Sequence, residues 1–330
     1  MRRLAVAVVV TTLVAGCSSS AQPQDELMVS TNPVAATAAQ SPAQSVTPPG
    51  RVLPLPGGAT ALAVDKRTLV VAAADPPRLL LYGLDSPDKR ATTVDLPGPA
   101  ESVTAAEGAV LATIGTKETV VRVDPLSGEA QSWTVRGVPS QAAPYQGATL
   151  VSVRDRKEVA VVEDGEVTRV INGGLLSADQ VFATGDGAAV LDRLRNAVFE
   201  LDVSKGTVNQ GLRAGQGATN GVVDRFGRVL VTDTRGGSLL AFSLGPLLLR
   251  QRYPLPGAPY AIAYDPKRDL AWVTLTETNE VVGFEVAGEE PRQKYRFATV
   301  GQPNSVAVDP ASGRVIVASA NGGGVQVIQP

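Results

Sequence analysis

The chain has 330 residues, with 30 Lys and Arg against 32 Asp and Glu, a single cysteine and no histidine. Charge this close to balance leaves no electrostatic footprint for nucleic acid. The missing histidine excludes Ser-His-Asp hydrolysis, the common histidine zinc sites and histidine-ligated haem, and a lone cysteine excludes an intramolecular disulfide.

The amino terminus reads as an address. Met1-Arg2-Arg3 is a short basic region, and Leu4 to Val14 is an apolar run of eleven residues. That is too short for a hydrocarbon core of about 30 Å, which takes about twenty residues. The run ends in Val14-Ala15-Gly16-Cys17, which resembles the bacterial lipobox. The resemblance implies diacylglycerol transfer to the Cys17 thiol, cleavage before it and acylation of the new amino group, so residues 1–16 are expected to be a signal peptide. The competing account is a signal peptide cut at small residues with Cys17 incidental. Two or three acyl chains, at about 0.8 kcal/mol per buried CH₂, anchor a protein to a bilayer essentially permanently. The mature chain is then expected outside the cytoplasm, held in the cell membrane or outer envelope.

Residues 18–50 are rich in Ser, Ala, Pro, Gln and Thr, with Asp25 and Glu26 their only charges. Such a composition buries little, so residues 17–50 are expected to form a lipidated, disordered tether with a mean span of roughly 30 Å.

From Arg51 onward the chain repeats. The apolar triplets Val70-Val71-Ala72, Val110-Leu111-Ala112, Leu150-Val151-Ser152, Val190-Leu191-Asp192, Leu230-Val231-Thr232, Trp272-Val273-Thr274 and Ile316-Val317-Ala318 recur at intervals of 40, 40, 40, 40, 42 and 44 residues. A period near forty carried by short β-rich runs between Gly, Pro, Asn and Asp clusters predicts an all-β, seven-bladed β-propeller over 51–330. The last copies are clearest: Pro259-Tyr260-Ala261-Ile262-Ala263-Tyr264-Asp265 and Pro303-Asn304-Ser305-Val306-Ala307-Val308-Asp309 each lead into a triplet. These openings, with the Val231-Thr232-Asp233 and Val317-Ala318-Ser319 closes, resemble the YVTN and NHL repeats of bacterial propellers. The resemblance weakens between Val135 and Ile171, and it implies a fold, since such repeats serve many functions. The final unit has three strands, and Arg51-Val52-Leu53-Pro54-Leu55 precedes the first. Pairing of that run with 324–328 is expected to close the last blade and remove an edge.

Function is expected on the face carrying the loops before each first strand and between each second and third strand. The entry residues there are Thr60, Glu101, Gln141, Asn220, Tyr260 and Asn304. The second loops add Arg154, Arg156, Arg193, Arg195, Asp233 and Arg235, an arginine-rich arc suited to a small anionic ligand or an acidic partner. The competing account is a solvated rim in which Asp155, Asp192 and Asp233 pair with their neighbours. Asp65, Asp224, Asp265 and Asp309 recur at first-strand ends, where Asp caps turns. Gly215-Gln216-Gly217 and Gly322-Gly323-Gly324 resemble phosphate loops, but no helix follows to supply amides.

The expectation is therefore a monomeric, membrane-anchored propeller without a cofactor, binding or scaffolding an envelope protein or small ligand. One enzymatic alternative stands beside it. Thr219-Asn220-Gly221-Val222 is similar to a segment of gluconolactonase-like propellers, and that resemblance implies a Ca²⁺- or Mg²⁺-dependent hydrolase with Glu101 and Asn220 as oxygen ligands. The family's matching Asp is absent, since Tyr260 and Asn304 occupy those places.

Overall fold

The computed structural model describes residue 27 and residues 30–87, 91–185 and 187–330. The expected signal peptide, the Val14–Cys17 motif and residues 18–26 lie outside the described residues. Among those described, no helix is long and apolar enough to cross a membrane.

The period of forty has a packing cause. All seven triplets fall on the second strand of a unit, and every residue in them is 2 % exposed or less. Side chains alternate between the two faces of a strand, and here both faces are covered. Val70 and Ala72 pack with Val110 and Ala112, while Val71 packs the other way against Ile316 and Ala318. Leu111 meets Val151, Leu150 meets Val190, Leu191 meets Val231, Leu230 meets Val273, and Trp272 meets Val317. A strand buried on both faces reads as a continuous apolar run, which is why the triplets stand out. The sheets therefore stack face to face in a closed ring.

The first strands line its axis. Ala59–Asp65, Ser102–Ala106, Pro139–Tyr145, Gln180–Ala183, Ala218–Val223, Pro259–Asp265 and Pro303–Val308 are neighbours in that order, and the last returns to the first. Hydroxyls on second strands latch three of the units to the next. Thr113 Oγ1 donates to the Ser140 carbonyl (3.1 Å), Ser152 Oγ to that of Asp179 (3.2 Å) and Thr232 Oγ1 to that of Tyr260 (2.7 Å).

The expectation of seven separate blades is corrected by the strand pairing. The 28 strands among the described residues form five four-stranded sheets and one eight-stranded sheet. In the latter, outer strands Glu166–Asn172 and Thr207–Arg213 meet in parallel at one pair, Asn172 with Thr207. Arg169 fastens the same seam by donating to the carbonyls of Val203 (2.7 Å) and Ser204. A one-pair bridge leaves no trace in a forty-residue period, so the sequence suggests a boundary that backbone bonding crosses. The architecture is an all-β propeller of five four-stranded blades and one eight-stranded sheet.

Arg51–Leu53 pairs antiparallel with Val325–Ile328, Leu53 opposite Val325, and so supplies the edge strand of the sheet that ends the chain. Leu53 is buried among Leu55, Leu62 and Ile316.

The second half of the segment expected to form a disordered tether has a described path over the propeller. Hydrogen bonds join residues 34–49 to the propeller at Val34, Ala36, Ala39, Ser41, Pro42 and Pro49. Composition does not disclose these contacts, because most of them use main-chain groups, which an Ala-, Ser- and Pro-rich segment offers as well as any other.

Leu53→Ala should cost about 2–4 kcal/mol, the usual range for truncating a buried leucine. Val52→Ala, at a position 39 % exposed in the same strand, should stay within about 0.5 kcal/mol. Denaturant midpoints measure both, and equal effects would contradict closure by this strand.

Candidate functional site

The first strands enclose a cavity of about 640 Å³ along the ring axis. Its mouth is built by a repeated irregularity. Register shifts occur where first strands enter, at Ala59/Ala61, Pro139/Gln141, Ala218/Asn220, Pro259/Ile262 and Pro303/Ser305. A bulge at a rim re-aims the side chains beside it, and here amides are turned into the channel.

Those amides bridge neighbouring strands. Gln141 Nε2 donates to Thr104 Oγ1 (3.2 Å), and its Oε1 accepts from the Val181 amide (2.8 Å). Gln180 Oε1 accepts from the Gly221 amide (2.8 Å), and its Nε2 reaches Asn220 Oδ1 (3.4 Å). Asn220 Nδ2 then donates to the Tyr260 carbonyl (3.2 Å).

Glu101, Arg154, Arg193, Asn220, Tyr260 and Asn304 all line this cavity. Arg156, Arg195, Asp233 and Arg235 are not among its lining residues. Arg154 is held between two carboxylates, pairing with Glu101 and, at 2.8 Å, with Asp179. Burial lowers its guanidinium, but those two acids outweigh burial and raise it overall. Arg156 pairs with Glu158 at 2.6 Å. Arg195 lies 3.9 Å from Asp192 and over the Phe199 ring at 5.8 Å. Arg193 donates to the Ala36 carbonyl, and Arg235 to those of Gln216 (3.0 Å) and Val34 (3.4 Å). Arg193 and Arg235 thus grip the same stretch of chain, two residues apart.

The aspartates of these loops chiefly serve the backbone. Asp233 accepts from the amides of Gln216, Gly217 and Gly236, the last two at 2.7 and 2.9 Å. Asp155 accepts from Val138 (2.7 Å), and Asp192 from Leu176 (2.7 Å), Arg195 (2.9 Å) and Ser177 Oγ (2.9 Å). Gly215 and Gly217 have steric roles here. A Cβ on Gly215 would lie 2.0 Å from Asp233 Oδ2, and one on Gly217 would lie 3.0 Å from the Ala36 Cβ. The loop accommodates a carboxylate and a packed alanine, which accounts for its glycines without a phosphate. On the turns at first-strand ends, Asp224, Asp265 and Asp309 accept amides two residues on, at 2.9 Å each.

The donor set for a divalent cation fits poorly. The Glu101 carboxylate is paired with Arg154, and both amide atoms of Asn220 are engaged between strands. Among the described residues, no three His, Cys, Asp or Glu side chains gather around a common point.

Contributors outside the sequence-based set include Asp179, Gln180, Thr276 and Gln302. Gln180 had a signal, since amides stand near forty-residue intervals at Gln141, Gln180 and Asn220. With residues 39 and 41, Thr276 forms two hydrogen bonds and Gln302 three. Its Nε2 donates to the Ala39 carbonyl (2.8 Å), its Oε1 accepts from the Ser41 amide (3.1 Å), its own amide donates to Ser41 Oγ (3.1 Å), and Thr276 Oγ1 beside it accepts from the Ala39 amide (3.1 Å) while the Thr276 carbonyl accepts from Ser41 Oγ (2.6 Å).

No protein-family model matches the sequence, and no curated sequence matches it. Solved structures do match in fold. A chain of hydrazine synthase from Kuenenia stuttgartiensis superposes with a TM-score of 0.71 at 14% identity, covering 87% of this chain and 98% of that one. Virginiamycin B lyase from Staphylococcus aureus, in a catalytically inactive histidine-to-alanine form with quinupristin, gives 0.71 at 13% identity over 85% and 98%. The Cps50 (Swd1) β-propeller domain of Myceliophteria thermophila gives 0.71 at 10% identity over 86% and 100%. At these identities the likeness establishes the propeller fold.

Burial pushes the Asp192 carboxyl up from its ordinary value, against the hydrogen bonds that favour its anion. The folded chain therefore holds this proton more tightly than the unfolded chain does. The resulting stability is complete below the unfolded value of about 3.9 and is lost as pH rises through the higher folded value. Asp192→Asn should flatten the denaturation midpoint from about pH 4 upward, and an unchanged slope would contradict this.

Proposed function

We propose that the chain is a monomeric, extracytoplasmic lipoprotein of the YVTN/NHL repeat type, anchored through Cys17, whose channel face binds or scaffolds an envelope protein or small ligand without catalysis. The propeller supplies the scaffold. The observation that carries the binding reading is the axial cavity of about 640 Å³, ringed by polar groups from every first strand. Cavities of this size with a few convergent polar groups are the usual place for a ligand. Arg193 lines it with an Nε–H that is buried and has no acceptor among the described residues.

Two observations support a non-catalytic role. The charged groups at the mouth neutralise one another, Arg154 with Glu101 and Asp179, where a reacting group would need its own proton or lone pair available. The superposed S. aureus lyase is inactive when a histidine is replaced by alanine, and this chain has no histidine. A protein partner is favoured over a small anion, because Arg154, Arg156, Arg193 and Arg235 are engaged with carboxylates or carbonyls of the chain itself.

Cys17→Ala should move the protein from the membrane fraction to the soluble one or leave an uncleaved precursor. A variant of mature size that still partitions with detergent-soluble lipoproteins would refute the anchor. Calorimetric titration of the wild type with Ca²⁺ or Mg²⁺ should show no tight site. A tight site abolished by Glu101→Ala would reinstate the metal-dependent hydrolase.

A further inference from the structure

Residues 34–42 cross the rim of the channel face in a single extended stretch without regular secondary structure. The propeller holds this stretch mainly by its backbone. Arg235 takes the Val34 carbonyl, Arg193 the Ala36 carbonyl, Thr276 and Gln302 the amide and carbonyl of Ala39, and Asn279 the Pro42 carbonyl at 2.9 Å. Ser41 contributes the only side chain among these contacts, its hydroxyl meeting Thr276 and Gln302.

We infer that this rim is a binding surface for extended, alanine- and proline-rich polypeptide segments, and that residues 34–42 are its resident occupant. The inference rests on the proposal that this face binds a protein, and it names the form of the partner: an extended segment of an envelope protein. Main-chain hydrogen bonds supply affinity with little regard to sequence, as in other modes that bind extended peptides. Selectivity comes from two places. Ala36 is 4 % exposed and packs over Gly217, a position with no room for a Cβ. A small side chain is therefore required at that point. Three residues on, the Ala39 amide is a donor to Thr276, so proline is excluded there, whereas proline is accepted at 42, where only the carbonyl is used. The surface reads a small residue, then an amide-bearing residue three positions later, then Ser-Pro.

The resident segment is covalently attached, which gives it an effective concentration of the order of millimolar. Each main-chain bond contributes only modestly, because it replaces a bond to water. A partner segment with additional contacts can therefore displace it.

The test uses full-length protein in which residues 34–42 are replaced by a Gly-Ser sequence of equal length, titrated with a fluorescent peptide of residues 33–43 and followed by anisotropy. Saturable binding at least tenfold tighter than to the native chain is expected. Gln302→Ala in the replaced chain should weaken it at least tenfold, and a peptide with proline in place of Ala39 should not bind. No saturable binding, or equal binding of the proline peptide, overturns the inference. Should the replaced chain fail to melt cooperatively, Ala36→Leu in the native sequence displaces the segment from Gly217 and is titrated in the same way, with the same outcomes deciding. Recovery of a cross-linked partner from native membranes by a protein that binds no peptide would overturn this inference while leaving the binding-module proposal standing.

Discussion

Ring closure is the constraint on which the structure depends. A sheet in this molecule is stable because both its faces are covered by neighbouring sheets, and that condition can hold for every sheet only if the stack returns to its start. The return is made by Val71 and Leu69 packing on Ile316 and Ala318, and by Leu53 filling the same cluster. The strand Arg51–Leu53 belongs to the sheet that ends the chain, so the two ends of the propeller are joined by backbone bonds as well as by apolar contact. With the stack closed, the first strands are held at a fixed distance from one axis, and the cavity between them follows from that geometry.

A second consequence concerns polar groups. Where first strands enter, amides need partners, and on five of the strands a bulge breaks the ladder there. Side chains from the neighbouring unit supply them: Gln141 for Val181, Gln180 for Gly221, Asn196 for Ala218. The same rim, continued outward, uses Asn279 and Gln302 on the incoming segment 34–42. The segment is held by the same chemistry that holds the units together, and this is why an apparently featureless stretch has a defined path over the face.

Much of the fold was legible in the sequence because burial on both faces imposes apolar residues at three consecutive positions, and few other arrangements do. Trp272-Val273-Thr274 and Ile316-Val317-Ala318 are recognisable on that ground alone. The merging of two units through Asn172 and Thr207 was not legible, since a single backbone pair selects for no residue type. Arg193 and Arg235 both donate to carbonyls of residues 34–36, which no charge pattern discloses. Composition correctly showed that residues 34–42 bring few large apolar side chains to bury. It could not show that their peptide groups are bound.

The central claim, that residues 34–42 belong to the folded propeller through their main chain, is tested most directly by amide hydrogen exchange on the full-length protein. Exchange reports the opening free energy of individual hydrogen bonds. The account predicts that the amides of Ala39 and Ser41, bonded to Thr276 and Gln302, are slowed at least tenfold relative to the denaturant-unfolded chain and lose that protection in Gln302→Ala. Exchange of both at the unfolded rate in the wild type would contradict it.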